Sequence, residues 1–157
     1  MTSHGVQPRQ LRRWRLASWA LLLLGLTSCS QRFPALLRQD PAAPAQEIVQ
    51  AAESGDPRLT PGLLRILHSW HEGDRSQAAA ARVVTASIAL AERGDLVAVG
   101  ALIQLADDPN EALRVAAAEA LGLLGGAQAE DCLERLARAD PSLQVRRRAR
   151  QARNVAA

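Results

Sequence analysis

The chain has no lysine and no tyrosine, and its 157 residues include one phenylalanine and three tryptophans. With Trp14 and Trp19 placed in an apolar leader, Phe33 and Trp70 are the aromatics left for a folded body. So few aromatics argue against a β-sandwich core, which draws on aromatic and β-branched residues. They argue equally against an RNA surface built on base stacking. Cysteine is limited to Cys29 and Cys132, and no acid precedes Asp40. There is no Walker-type loop, no dinucleotide glycine fingerprint and no serine elbow. The Gly-Asp pairs beginning at Gly55, Gly73 and Gly94 read as turns. What the chain does have is 48% apolar residues, enough to build a core and to argue against wholesale disorder.

The net charge of +3 is misleading, because Arg9, Arg12, Arg13 and Arg15 all precede an apolar run that ends at Cys29. Without residues 1–28, fifteen arginines face sixteen acids and the net charge is −1. A basic segment, about a dozen mostly apolar residues and small residues before a cysteine form the layout of a secretory signal. The run from Leu16 to Cys29 falls short of the roughly 20 apolar residues that span a bilayer.

Leu26, Thr27, Ser28 and Cys29 resemble the bacterial lipobox, in which an apolar residue, two small ones and an obligatory cysteine direct lipid attachment and cleavage. The resemblance covers the first 29 residues. It implies removal of residues 1–28, acylation of Cys29 and anchoring in a bacterial cell envelope, facing periplasm or thylakoid lumen. Several acyl chains hold a protein on a membrane far better than one. An ordinary cleaved signal and an uncleaved anchor are the alternatives. Residues 29–45, with Pro34, Pro41 and Pro44, read as a tether.

From residue 46 to 157 the chain is rich in Ala, Leu, Arg and Glu, punctuated by Gly-Asp, Asp-Pro and Gly-Gly. Between Pro109 and Leu124, residues Leu113, Ala117, Ala120, Leu121 and Leu124 share one helical face. Asp108 is expected as the N-cap, with Pro109 at N1, Glu111 at N3 and Gly125-Gly126 as the stop. A second helix over 129–139 places Cys132, Leu133, Leu136 and Ala137 together, completing a helical hairpin. The pattern then repeats. Asp108-Pro109 returns as Asp140-Pro141 and Leu113-Arg114 as Val145-Arg146, 32 residues on. Shifted back by 31, Leu121 falls on Leu90, Ala117 on Ala86, and Leu133 with Leu136 on Leu102 with Leu105. A period of 31 or 32 is a solenoid signature. Leu64 and Leu67, with a helix around Gln46 to Ser54, suggest a degenerate first unit.

The stretch LRVAAAEALG, from Leu113 to Gly122, resembles the first helix of HEAT-like repeats, as found in phycobilin lyases and many bacterial scaffold proteins. The match is strong over 107–139, fair over 77–106 and weak elsewhere. It implies an all-α fold, a short α-solenoid of three to four hairpins. A protein-binding role follows from that architecture, with bilin-lyase-like chromophore attachment and passive envelope structure as alternatives. Where the preceding repeat has Val115, Ala116, Ala118 and Leu121, the final helix has Arg147, Arg148, Arg150 and Arg153. That exchange suits a terminal unit that no further repeat covers.

The remaining polar motifs read as structural or as contacts. His68 and His71 share a helical face but supply half of a tetrahedral zinc shell, and they stand near a helix end where the dipole favours a cation. Trp70 reads as core, and Cys132 as a small buried side chain. No catalytic residue, metal or cofactor is expected, and export argues against nucleic acid. Arg146, Arg147, Arg148, Arg150 and Arg153 follow the last acid, so residues 29–141 carry −6 and the rest +5. These arginines are the expected contacts for an acidic protein or lipid headgroups. Gln104, Glu134 and Arg135 are expected on a shallow concave face made by the second helices.

Overall fold

The computed structural model describes residues 33–73 and 75–156, the last two without side chains. The expected signal segment 1–28, Cys29 and Asp74 lie outside the described residues. Among these, every regular element is helical: α1 (Ala45–Ser54), α2 (Thr60–Glu72), α3 (Gln77–Glu92), α4 (Val99–Leu105), α5 (Glu111–Leu124), α6 (Ala127–Ala139) and α7 (Leu143–Ala156). A single turn, Pro34–Leu37, precedes them, and 3-10 turns at Pro57–Leu59 and Leu96–Ala98 lead into α2 and α4. In chain order the helices alternate as α1/α2, α3/α4, α5/α6 and α7, and across the two layers the closest neighbours are α2 with α3, α4 with α5 and α6 with α7. First helices stack in one layer, α1 on α3, α3 on α5 and α5 on α7, while α2, α4 and α6 form the other. This is the expected all-α solenoid of hairpins.

Punctuation in the sequence sets the hairpins. After each first helix the chain reverses at Gly55, Gly94 or Gly125, all with positive φ, where a side chain would be strained. Second helices return through polar caps: Ser76 Oγ accepts from the Ala79 N–H at the start of α3, and Asn110 Oδ1 from the Ala112 N–H at the start of α5. The expected cap at Asp108 is corrected here. Helix α5 begins at Glu111, and Asp108 Oδ1 instead accepts from the Asn110 N–H at 2.8 Å, turning the chain so that Pro109 lies before the helix. Likewise α6 starts two residues earlier than periodicity indicates, at Ala127.

The core follows the repeat. Leu90, Leu102, Leu105, Leu113, Leu121 and Leu133 are buried, with alanines between them, whereas Leu124 is half-buried at its helix end. The small residues have a geometric role: a Cβ at Gly122 would lie 2.5 Å from the Cβ of Ala152, so α5 and α7 approach almost backbone to backbone. Trp70 is buried as expected.

Residues 35–45 belong to the same compact unit as the helices. Leu36 and Ala43 are fully buried, and the Leu36 N–H donates to the buried Glu47 at 2.7 Å. The Leu36 carbonyl lies against Gly62 so closely that a Cβ there would be 2.1 Å away. Described residues of the expected tether therefore pack on the first hairpin. Three prolines read as linker composition, and what composition does not show is that they flank buried Leu36 and Ala43.

Candidate interaction surfaces

Because first helices all run one way and second helices the other, the unit has two edges. Turns from a first helix to a second form a glycine edge, at Gly55, Gly94 and Gly125. Turns from a second to a first form an aspartate edge, at Asp108 and Asp140.

The aspartate edge carries a continuous polar chain. The Trp70 indole N–H donates to Asp108 Oδ2 at 2.6 Å. Arg114 donates through Nη1 to the carbonyls of Asp108 and Pro109, at 2.9 and 3.0 Å. Its Nε and Nη2 reach forward to both carboxylate oxygens of Asp140, at 2.8 and 3.1 Å. Arg146 repeats the first half of this pattern on the carbonyls of Asp140 and Pro141. Asp108, Arg114 and Asp140 are all buried. Burial pushes the Asp140 carboxyl up, but hydrogen bonds from Arg114 and the Ser142 N–H, with the charges of Arg114 and Arg146, outweigh it and hold it below the usual carboxylate range. The Arg114 guanidinium is held above its ordinary value, chiefly by its bond to Asp140. A bidentate pair of this kind tolerates burial because its remaining donors and acceptors are also satisfied.

The sequence comparison displayed both halves of this ladder, as recurring Asp-Pro and apolar-Arg pairs, without showing that the arginine of one repeat binds the aspartate of the next. It missed Arg93 altogether. This side chain, 3% exposed, ties four segments together near the glycine edge: Nε to Asp95 at 2.9 Å, Nη1 to the Ala51 carbonyl at 2.9 Å, and Nη2 to the Asp56 carbonyl at 2.8 Å and Thr60 Oγ1 at 3.1 Å. A lone arginine before Gly-Asp resembles ordinary helix-end charge, and only its distant carbonyl partners give it away.

On the second-helix layer the three residues expected to make contacts are accessible: Gln104 and Arg135 are exposed and Glu134 is half-buried. Arg135 pairs with Asp107 at 2.6 Å, joining α6 to the end of α4, and Glu134 pairs with Arg138. Asp107, Arg135, Arg114 and Asp140 line a cleft of about 290 Å³. Beneath it Cys132 is buried, its thiol pushed up by burial against the opposing pull of Arg135, whose Nη2 is 3.5 Å from Sγ. His68 and His71 are exposed near the C-terminus of α2. Among the described residues no three His, Cys, Asp or Glu side chains gather as metal ligands.

Four of the five arginines of α7 make separate bonds within the unit. Arg146 closes the aspartate edge, Arg148 lies 3.6 Å from Glu119, Arg150 donates to the Ala137 carbonyl at 3.3 Å, and Arg153 donates to Glu130 at 2.6 Å. Arg147 is exposed and makes no such bond among the described residues. Arginine at these positions keeps the outer face of α7 polar while its longer side chains reach back to α5 and α6. No described helix is long and apolar enough to cross a membrane.

Comparison with curated proteins gives no match. Residues 83–153, from Val83 in α3 to Arg153 in α7, match the family model for HEAT repeats, so this part of the stack is similar to HEAT repeats.

Proposed function

We propose that the protein is a lipid-anchored, protein-binding module of a bacterial cell envelope, held to the membrane through Cys29 and facing periplasm or thylakoid lumen. The observation that carries the binding reading is the second-helix face, where Gln104, Glu134 and Arg135 stand accessible on helices fixed by a buried, fully bonded arginine ladder. Repeat units of this type use such faces to hold other proteins, and rigid presentation lowers the ordering cost of binding. The anchoring reading rests on the basic, apolar and small-residue order that ends at Cys29.

Two measurements test it. Intact mass of the protein from its native host is expected to match residues 29–157 plus acyl chains; a full-length unmodified mass overturns the anchor. A photo-crosslinking residue in place of Gln104 is expected to trap a defined protein that Gln50→photo-crosslinker, on the outer face of α1, does not. Equal labelling from both positions overturns the binding face.

A further inference from the structure

Among the described residues three glycines stand inside helices, and two of them are explained by what touches them. A Cβ at Gly62, in α2, would lie 2.1 Å from the Leu36 carbonyl oxygen, and one at Gly122, in α5, 2.5 Å from the Cβ of Ala152. Gly100, the second residue of α4, is exposed, and a Cβ there would meet nothing within 4 Å. Its φ is not positive either. Alanine would fit the space and favour the helix. Nothing inside the unit calls for the glycine.

Its surroundings are equally open. Leu96 and Val97, one turn before it, are 64% and 69% exposed, the barest large aliphatic side chains among the described residues. Val97, Gly100 and Gln104 fall at i, i+3 and i+7, so they form one strip along α4 and its leading turn. Carboxylates flank the strip. Glu92 is the last residue of α3, and Asp131 stands on α6 six residues after Gly125, as Gly100 stands six after Gly94. Both are exposed, and neither carboxylate is bonded among the described residues. The arginines of the second-helix layer are already paired, Arg65 with Glu72, Arg135 with Asp107 and Arg138 with Glu134. Leu143, bare at the opposite edge, has Arg147 one turn on and no glycine beside it.

We propose that this strip of α4 seats a helix of the partner protein, which crosses at Gly100 with aliphatic side chains on Leu96 and Val97 and lysine or arginine against Glu92 and Asp131. The proposal rests on the protein-binding reading of the second-helix face and not on the anchor. Where Gly100 carries no side chain, a second helix can approach as α7 approaches α5 at Gly122. An apolar stripe flanked by cations complements bare aliphatics flanked by unpaired carboxylates, and an acidic partner would meet like charge. The same carboxylates oppose an anionic bilayer.

The test places a photo-crosslinking residue at Val97 of the full chain in its native host and sequences the trapped segment. That segment is expected to carry aliphatic residues at helical spacing flanked by lysine or arginine. Adding Gly100→Gln is expected to cut the yield by about tenfold or more, while thermal unfolding does not fall, because the new side chain meets only solvent. Glu92→Lys with Asp131→Lys is expected to cut it by about fivefold, whereas Glu53→Lys, on α1, leaves it unchanged. Capture of lipid, of a second copy of this chain or of a segment without that pattern overturns the proposal. So does a yield that Gly100→Gln does not change, or a loss of stability in that variant. If position 97 traps nothing while position 104 traps a protein, the seat on α4 is overturned and the binding face stands. If neither position traps one, the binding face fails and the seat falls with it.

Discussion

The two edges of the stack handle polar groups differently. At the aspartate edge Asp108, Arg114 and Asp140 are buried and bonded from one repeat to the next. At the glycine edge Leu96, Val97 and Leu123 remain exposed, and the buried charge there, Arg93, belongs to the first two hairpins alone. Both edges hold a buried tie and bare aliphatics, Arg93 with Leu96, Val97 and Leu123 at one and Arg114 with Leu143 at the other, but the aspartate edge repeats its tie, Arg114 on the Asp108 carbonyl and Arg146 on that of Asp140.

The sharpest way to break this contrast is Arg114→Met, which leaves the buried Asp140 carboxylate with the Ser142 N–H as its remaining hydrogen bond and strips the Asp108 carbonyl of its donor. Loss of about 3–5 kcal/mol is expected in denaturant unfolding. Acid probes the same pair. The folded carboxyl of Asp140 lies below its unfolded value of about 3.9. Its contribution is therefore complete above that range and lost as pH falls through it toward the folded value. The deficit of Arg114→Met should accordingly narrow as pH drops, because protonation relieves the orphaned charge; a pH-independent gap between the two proteins would contradict the assignment.

Smaller effects follow. Gly122→Ala should cost about 1–3 kcal/mol through overpacking against Ala152, despite the better helix propensity of alanine. Trp70→Phe keeps an aromatic side chain but removes the N–H donor to Asp108 together with the five-membered part of the buried indole, for about 1–3 kcal/mol by thermal unfolding. At the glycine edge, the double change Leu96→Gln and Val97→Gln should alter stability by no more than about 0.5 kcal/mol, since neither side chain is part of the core. A large loss there would mean that more than Arg93 holds this edge.

Much of the architecture was legible in the sequence because helical periodicity and the 31–32-residue shift both report on burial. Leu90, Leu113, Leu121 and Leu133 fell on the core face, and Gly125-Gly126 ended its helix where expected. Connections across repeats were harder to read. The link from Arg114 to Asp140 spans 26 residues and has no local signature, and Arg93 binds main-chain carbonyls that carry no residue identity. The cap at Asn110 was obscured by Asp108, because either residue can cap and only the turn geometry decides between them. Gln104, Glu134 and Arg135 could be placed on second helices from periodicity. That Glu134 and Arg135 are engaged with Arg138 and Asp107 depends on how neighbouring hairpins are spaced.

The near contact of Gly122 with Ala152 bears on how α7 is held. Its backbone sits almost flush with that of α5, fastened by Arg146 at one tip and Arg153 at the other. Removal of residues 143–156 would lay bare a smooth strip of glycine and alanine along α5, a surface shaped to receive another helix, and would turn a covered flank into an adhesive one.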